Sequence, residues 1–157
     1  MDSYFLLKLI HIICAVVLVG TGVGIAFFLF MANRSNNVQA IAVTTRHVVL
    51  ADWIFTTPAI IVQLISGILL MLELDYSFSS SWFLTVLALF VIVGICWLPV
   101  VYIQYLLRTM AEKAVATGAL SPKFKKLMRL WTTLGIAALI TILVIFWLMI
   151  FKPLAVV

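Results

Sequence analysis

Charge is what this sequence has least of. Ten basic and five acidic residues are spread over 157 positions, while 66% of the chain is hydrophobic. Soluble domains carry charge at about a quarter of their positions, and a soluble fold of this length has no core large enough to hide so much apolar surface. The solvent is therefore lipid. Cysteine is almost as scarce. Cys14 and Cys96 both sit inside apolar runs, where they act as small hydrophobes and supply no disulfide framework. Also missing are a nucleophile motif, a phosphate-binding loop, clustered metal-ligand spacings, internal repeats and low-complexity linkers. The six methionines are scattered, whereas copper handling favours clustered Met, His and Cys. The net charge of +5 is not a nucleic-acid signal, because the positive residues lie between apolar runs, where membrane topology is encoded.

What is present is four apolar runs, approximately 4–31, 49–72, 82–107 and 130–151. Each reaches the ~20 residues needed to cross a hydrocarbon core about 30 Å thick. Backbone groups in lipid must be satisfied within the segment, and the alternation of barrel strands is absent, so each run reads as a helix. The first is too long for a signal h-region and lacks a convincing cleavage site, which reads as a retained span. Asn36 and Asn37 offer an early cap for helix two. Helix three reads on to Thr117-Gly118, and Ser121-Pro122 then opens helix four after a short connection. The expected fold is an all-α, single-domain, antiparallel four-helix bundle, with helices two and three kinked at Pro58 and Pro99. Each proline frees a carbonyl one turn earlier, at Ile54 and Ile95, and Thr56, Thr57 or Gln63 are at hand to satisfy such groups. Arg34 and Arg46 mark the first loop, and Arg108, Lys113, Lys123, Lys125, Lys126 and Arg129 the third. The middle loop holds only Glu73 and Asp75. The positive-inside rule then puts both basic loops in the cytoplasm and both termini outside.

Few residues inside these spans can do chemistry. His11 lies roughly 10 Å from the outer end of helix one at ~1.5 Å per residue. Haem ligation, proton relay, or a plain hydrogen bond to a neighbouring helix each suit it. Lys8, on the same face, can snorkel outward. Gly20 and Gly24 form a small-xxx-small pair, suited to close helix packing or to a flat porphyrin. At the mouth of helix two, "RHVVLADWIF" supplies Arg46, His47 and Asp52. Their spacing places Asp52 on a different face from Arg46 and His47, so Asp52 needs a partner on another helix. Arg108 or Arg129 is at the right height for a structural ion pair, and proton handling is the other role. Trp53 suits an interfacial anchor. His11 and His47 begin successive antiparallel helices and lie on the order of 20 Å apart in height, so one haem iron or zinc cannot take both.

Taken whole, the chain resembles an uncharacterised bacterial family of four-helix integral membrane proteins, most specifically in "RHVVLADWIFTTPAIIVQ" and "GICWLPVVYIQ". More distantly, "KLIHII", "TTPAIIVQLISGI" and the closing "MIFKP" resemble the HemJ-type protoporphyrinogen oxidases. A looser likeness, mostly in the helix-one histidine, links it to copper-resistance D-type membrane domains. The HemJ-type resemblance implies haem b with His11 as axial ligand. That family's essential lysine early in helix three has no counterpart in "SWFLTVLALF", which weakens the carry-over of porphyrinogen oxidation itself. The resulting expectation is a small b-type haem protein in electron transfer or in porphyrin or quinol oxidation, with enzymatic status open. The alternatives are a subunit or assembly partner of a larger or homo-oligomeric membrane complex, and a transporter of a metal or small molecule.

Overall fold

A computed structural model describes residues 2–152. Pro153, the last residue of the "MIFKP" stretch, lies outside them. Four helices account for nearly all the described residues: α1 (Asp2–Arg34), α2 (Val38–Glu73), α3 (Ser81–Thr117) and α4 (Pro122–Phe151). Each is long and apolar enough to cross a membrane. At ~1.5 Å per residue all four exceed a hydrocarbon core about 30 Å thick, so their ends project beyond it.

The helix ends follow local chemistry. Asn37 accepts the Ala40 N–H on its side chain at 3.1 Å and starts α2. The Ser80 hydroxyl accepts the Phe83 N–H at 3.3 Å and starts α3. Gly118, at φ 72°, takes the left-handed position that ends α3 and donates to the Ala114 carbonyl at 2.8 Å. Ser121 then caps α4, with Pro122 in its first turn. The short connections 35–37, 74–80 and 118–121 make successive helices antiparallel.

Pro58 leaves a specific mark on α2. Residues Asp52–Thr56 form a π turn, and the Thr57 N–H donates to the Asp52 carbonyl five residues back. Proline has no N–H, and its ring would strike the Ile54 carbonyl in a regular turn; the wider turn relieves that clash. Neither Thr56 nor Gln63 caps a freed carbonyl as the sequence suggested, because both side chains turn inward. Around Pro99, α3 continues as one helix to Thr117.

Packing is uneven along the bundle. α1 pairs with α2, and α3 with α4. These two hairpins join mainly where the first half of α2 meets α3, whereas α1 and α4 touch at few positions. At the basic end a dense core contains Leu29, Ile41, Leu107 and Phe124, none with exposed surface. At the opposite end a smaller cluster joins Met71, Trp82, Val86 and Leu148. There the Trp82 indole N–H donates to the Leu148 carbonyl at 2.8 Å. Side chains such as Val16, Phe28, Ile95 and Ile150 face outward, as lipid requires. Between the two clusters the bundle is hollow.

Phe124→Ala, at the centre of the dense end, is expected to destabilise the protein by about 3 kcal/mol, since a buried phenylalanine leaves a cavity its neighbours only partly fill. Unfolding titrations with SDS in mixed micelles measure this. A loss well under 1 kcal/mol would mean that this end does not hold the bundle together.

Candidate functional site

His11 reaches from α1 to α2. Its Nε2 lies 2.8 Å from the Gln63 amide nitrogen and its Nδ1 2.8 Å from the Ser66 hydroxyl. The Gln63 amide nitrogen only donates, so Nε2 accepts and the ring proton sits on Nδ1, donated to Ser66. Ser66 passes its own proton to the Gln63 carbonyl at 3.3 Å. Gly67 makes room for the ring: a Cβ there would stand 3.3 Å from the imidazole Cε1. His11 is thus a histidine satisfied by the neighbouring helix. Both its nitrogens are engaged, and it does not border the central cavity. In this arrangement the residues do not fit an iron ligated by His11, since binding would first require Gln63 to leave Nε2. Gly20 and Gly24 do not border the cavity either, and nothing lies within 4 Å of a Cβ built at either. The expected close helix contact is therefore not made within this chain.

The charged groups at the start of α2 separate. Arg46 crosses to α3 and meets Glu112 at 3.4 Å, and Arg108 holds the same carboxylate at 3.1 Å. The expected pairing of Asp52 with Arg108 or Arg129 is not formed, because Glu112 takes Arg108 and Arg129 is exposed. His47 is exposed, and it stands sixteen residues before Gln63, about 24 Å from the His11 site by helix rise. Trp53 donates its indole N–H to the Tyr105 hydroxyl and so latches α2 to α3.

Asp52 points the other way, into the bundle, and is 4% exposed. It borders a cavity of about 500 Å³ whose walls come from all four helices. Among the described residues, six buried side-chain atoms have no hydrogen-bond partner: Asp52 Oδ2, Thr56 Oγ1, Gln63 Oε1, Trp97 Nε1, Gln104 Nε2 and Trp131 Nε1. All six residues line this cavity. The Thr56 hydroxyl and Gln104 amide lie beside the Asp52 carboxylate without completing hydrogen-bond geometry with it. Otherwise the walls are mostly apolar, and Asp52 is the one ionisable side chain among the described residues lining them.

The chain belongs to the DUF2269 family. That family is described as predicted integral membrane proteins, and its model matches residues 5–153. No curated protein and no solved structure matches the chain. Membership establishes a membrane protein of this type; the chemistry must be read from the site.

Sequence reasoning found His11, with a hydrogen bond to a neighbouring helix among its open readings, and Asp52, but neither residue's partners nor the cavity. Gln63 was visible only as a possible proline companion, and Thr56, Ser66, Trp97, Gln104 and Trp131 were not singled out for the site. A signal existed. Thr45, Asp52, Thr56, Gln63 and Ser66 recur at steps of seven, four, seven and three, so they form one polar stripe on an otherwise apolar helix. Four of the five are buried.

Two substitutions separate the roles. His11→Ala strands Gln63 and Ser66 and is expected to cost about 2 kcal/mol. Asp52→Asn removes no ion pair and is expected to leave the unfolding midpoint unchanged or higher. Thiol-reactive dye uptake at Cys14 and Cys96 during heating reports both, and a large loss on Asp52→Asn would restore the structural-pair reading.

Proposed function

We propose that this bacterial-type inner-membrane protein binds a small lipid-soluble molecule in its central cavity, with Asp52, Thr56, Gln63, Trp97, Gln104 and Trp131 holding the molecule's polar part. One observation carries the reading: the six residues with an unpartnered buried polar atom all line the same cavity. Native proteins partner nearly all their buried polar atoms. Each one left alone costs ~1–3 kcal/mol, and no bulk water reaches the hydrocarbon layer to help. Six such atoms around one hollow describe a receptor for a matching set of donors and acceptors. Asp52 is the group there able to exchange a proton, so proton handling in binding, transport or turnover falls to it.

The positive charge at the Arg46–Glu112–Arg108 end supports a cytoplasmic position for that end and an outer position for both termini. The dense core at that end then seals the cavity from the cytoplasm, while His11 acts near the outer side as a fastener between α1 and α2.

The test is extraction and mass spectrometry of small molecules carried by detergent-purified protein. The wild type is expected to retain a lipid-soluble compound that Gln104→Leu and Trp131→Phe lose. Freed of ligand, Gln104→Leu is expected to be about 1–2 kcal/mol more stable than the wild type, because it removes an unpaired amide. Equal extracts from all three, or a Gln104→Leu variant less stable than the empty wild type, would overturn the proposal. The same samples weigh haem b through their visible spectra before and after dithionite. A reducible haem spectrum lost in His11→Ala would put iron at Nε2 in place of Gln63 and make the protein a b-type redox protein instead.

A further inference from the structure

We infer that the ligand of this cavity is an uncharged amphiphile with a carbonyl- or hydroxyl-bearing head, and that it enters sideways from the lipid between α1 and α4. The inference rests on the cavity reading above and adds the ligand's class and route.

The head follows from the unpartnered atoms. Trp97, Trp131 and Gln104 each present an N–H, against the acceptor oxygens of Asp52 and Gln63 and one hydroxyl on Thr56. Donors that can only donate call for acceptor oxygens on the ligand. A cation supplies none, so it would leave both indoles and the Gln104 amide unpaired. An anionic head such as a phosphate is disfavoured too, because no basic side chain lines the cavity among the described residues and Asp52 stands in it. Of these unpartnered residues, Asp52, Thr56, Gln104 and Trp131 are all at least nine-tenths buried. They are built into the wall and do not belong to a surface patch. The remaining lining is aliphatic and aromatic, which suits a tail or ring.

The route follows from the packing. The ends are closed by the core around Leu29, Leu107 and Phe124 and by the Trp82–Leu148 cluster. The α2–α3 side holds a smaller recess, bridged by Trp53 and Tyr105, that shares Asp52, Trp97 and Gln104 with the cavity as their common wall. The α1–α2 and α3–α4 pairs are closely packed, whereas α1 and α4 touch at few positions yet supply much of the lining. Two glycines face this gap from opposite sides, Gly22 on α1 and Gly135 on α4. Both line the cavity, and nothing lies within 4 Å of a Cβ built at either. A side chain at these positions therefore starts into open space at its Cβ, on the wall of the cavity.

Binding of decylubiquinone, a neutral dicarbonyl ring with an apolar tail, to the full chain in phosphatidylcholine nanodiscs tests both parts. Tetraphenylphosphonium serves as the cationic comparison. The wild type is expected to bind the quinone and not the cation. Gln104→Leu and Trp97→Phe should each weaken binding about tenfold, the loss expected for one well-made hydrogen bond. Gly22→Phe with Gly135→Phe should slow association at least about tenfold, with an unfolding midpoint close to that of the wild type. If the double glycine variant is unstable, Gly22→Leu alone takes its place. Wild-type association kinetics in a folded glycine variant, together with weakened binding in Gln104→Leu, would overturn the lateral route and leave the cavity reading standing. Preference for the cation would overturn the uncharged head. Quinone binding unchanged by Gln104→Leu and Trp97→Phe would overturn the cavity reading itself.

Discussion

Inside a bilayer a polar atom can be satisfied only by the protein or by something the protein holds. That constraint organises this molecule. The backbone meets it by becoming four helices, closed by side-chain caps at Asn37, Ser80 and Ser121 and by a left-handed glycine at 118. Most of the basic side chains meet it by gathering toward the dense end, where Arg46 and Arg108 share Glu112. The imidazole of His11 meets it through Gln63 and Ser66. Six buried atoms on residues that line the cavity do not meet it, which separates them from the other buried side-chain polar atoms of the described residues.

One helix carries most of this division. The inward stripe of α2 supplies Gln63 to both sides: its amide nitrogen bonds His11 and its oxygen faces the cavity. The fastening of α1 to α2 and the wall of the hollow are therefore coupled through a single side chain. A ligand oxygen or proton that draws on Gln63 also tugs on His11, and through it on α1, which forms one lip of the gap.

The sequence disclosed the fold well because lipid imposes strong, local rules. The spans follow from apolar length, and the limits of α2, α3 and α4 from Asn37, Gly118 and Ser121-Pro122. It disclosed the site poorly for a physical reason. Which helix faces which is set by the rotation and splay of whole helices, and that is not local. Asp52 was recognisable as costly, but whether it met Arg108 or a hollow depended on how α2 and α3 are rotated against each other, even though the i,i+4 pairing of Arg108 with Glu112 is itself local. His11 stood out as an intramembrane histidine, yet its partners lie 52 and 55 positions away. Nothing local in the sequence sets Trp97 and Trp131 apart from other membrane aromatics, because a missing indole partner is a property of the folded bundle.

The π turn at Asp52–Thr56 has a consequence for how α2 can vary. Such a turn holds one more residue than an α turn, and each residue advances an α-helix by about 100°. Removing one residue there would leave an ordinary α turn, with Gln63, Ser66 and Gly67 close to their present phase toward His11. The same deletion in the regular part of α2 between this turn and Gln63 would swing those three residues round by about 100°, so that His11 would lose its partners. The wide turn is thus a place where α2 can gain or lose a residue while its two halves keep their different neighbours.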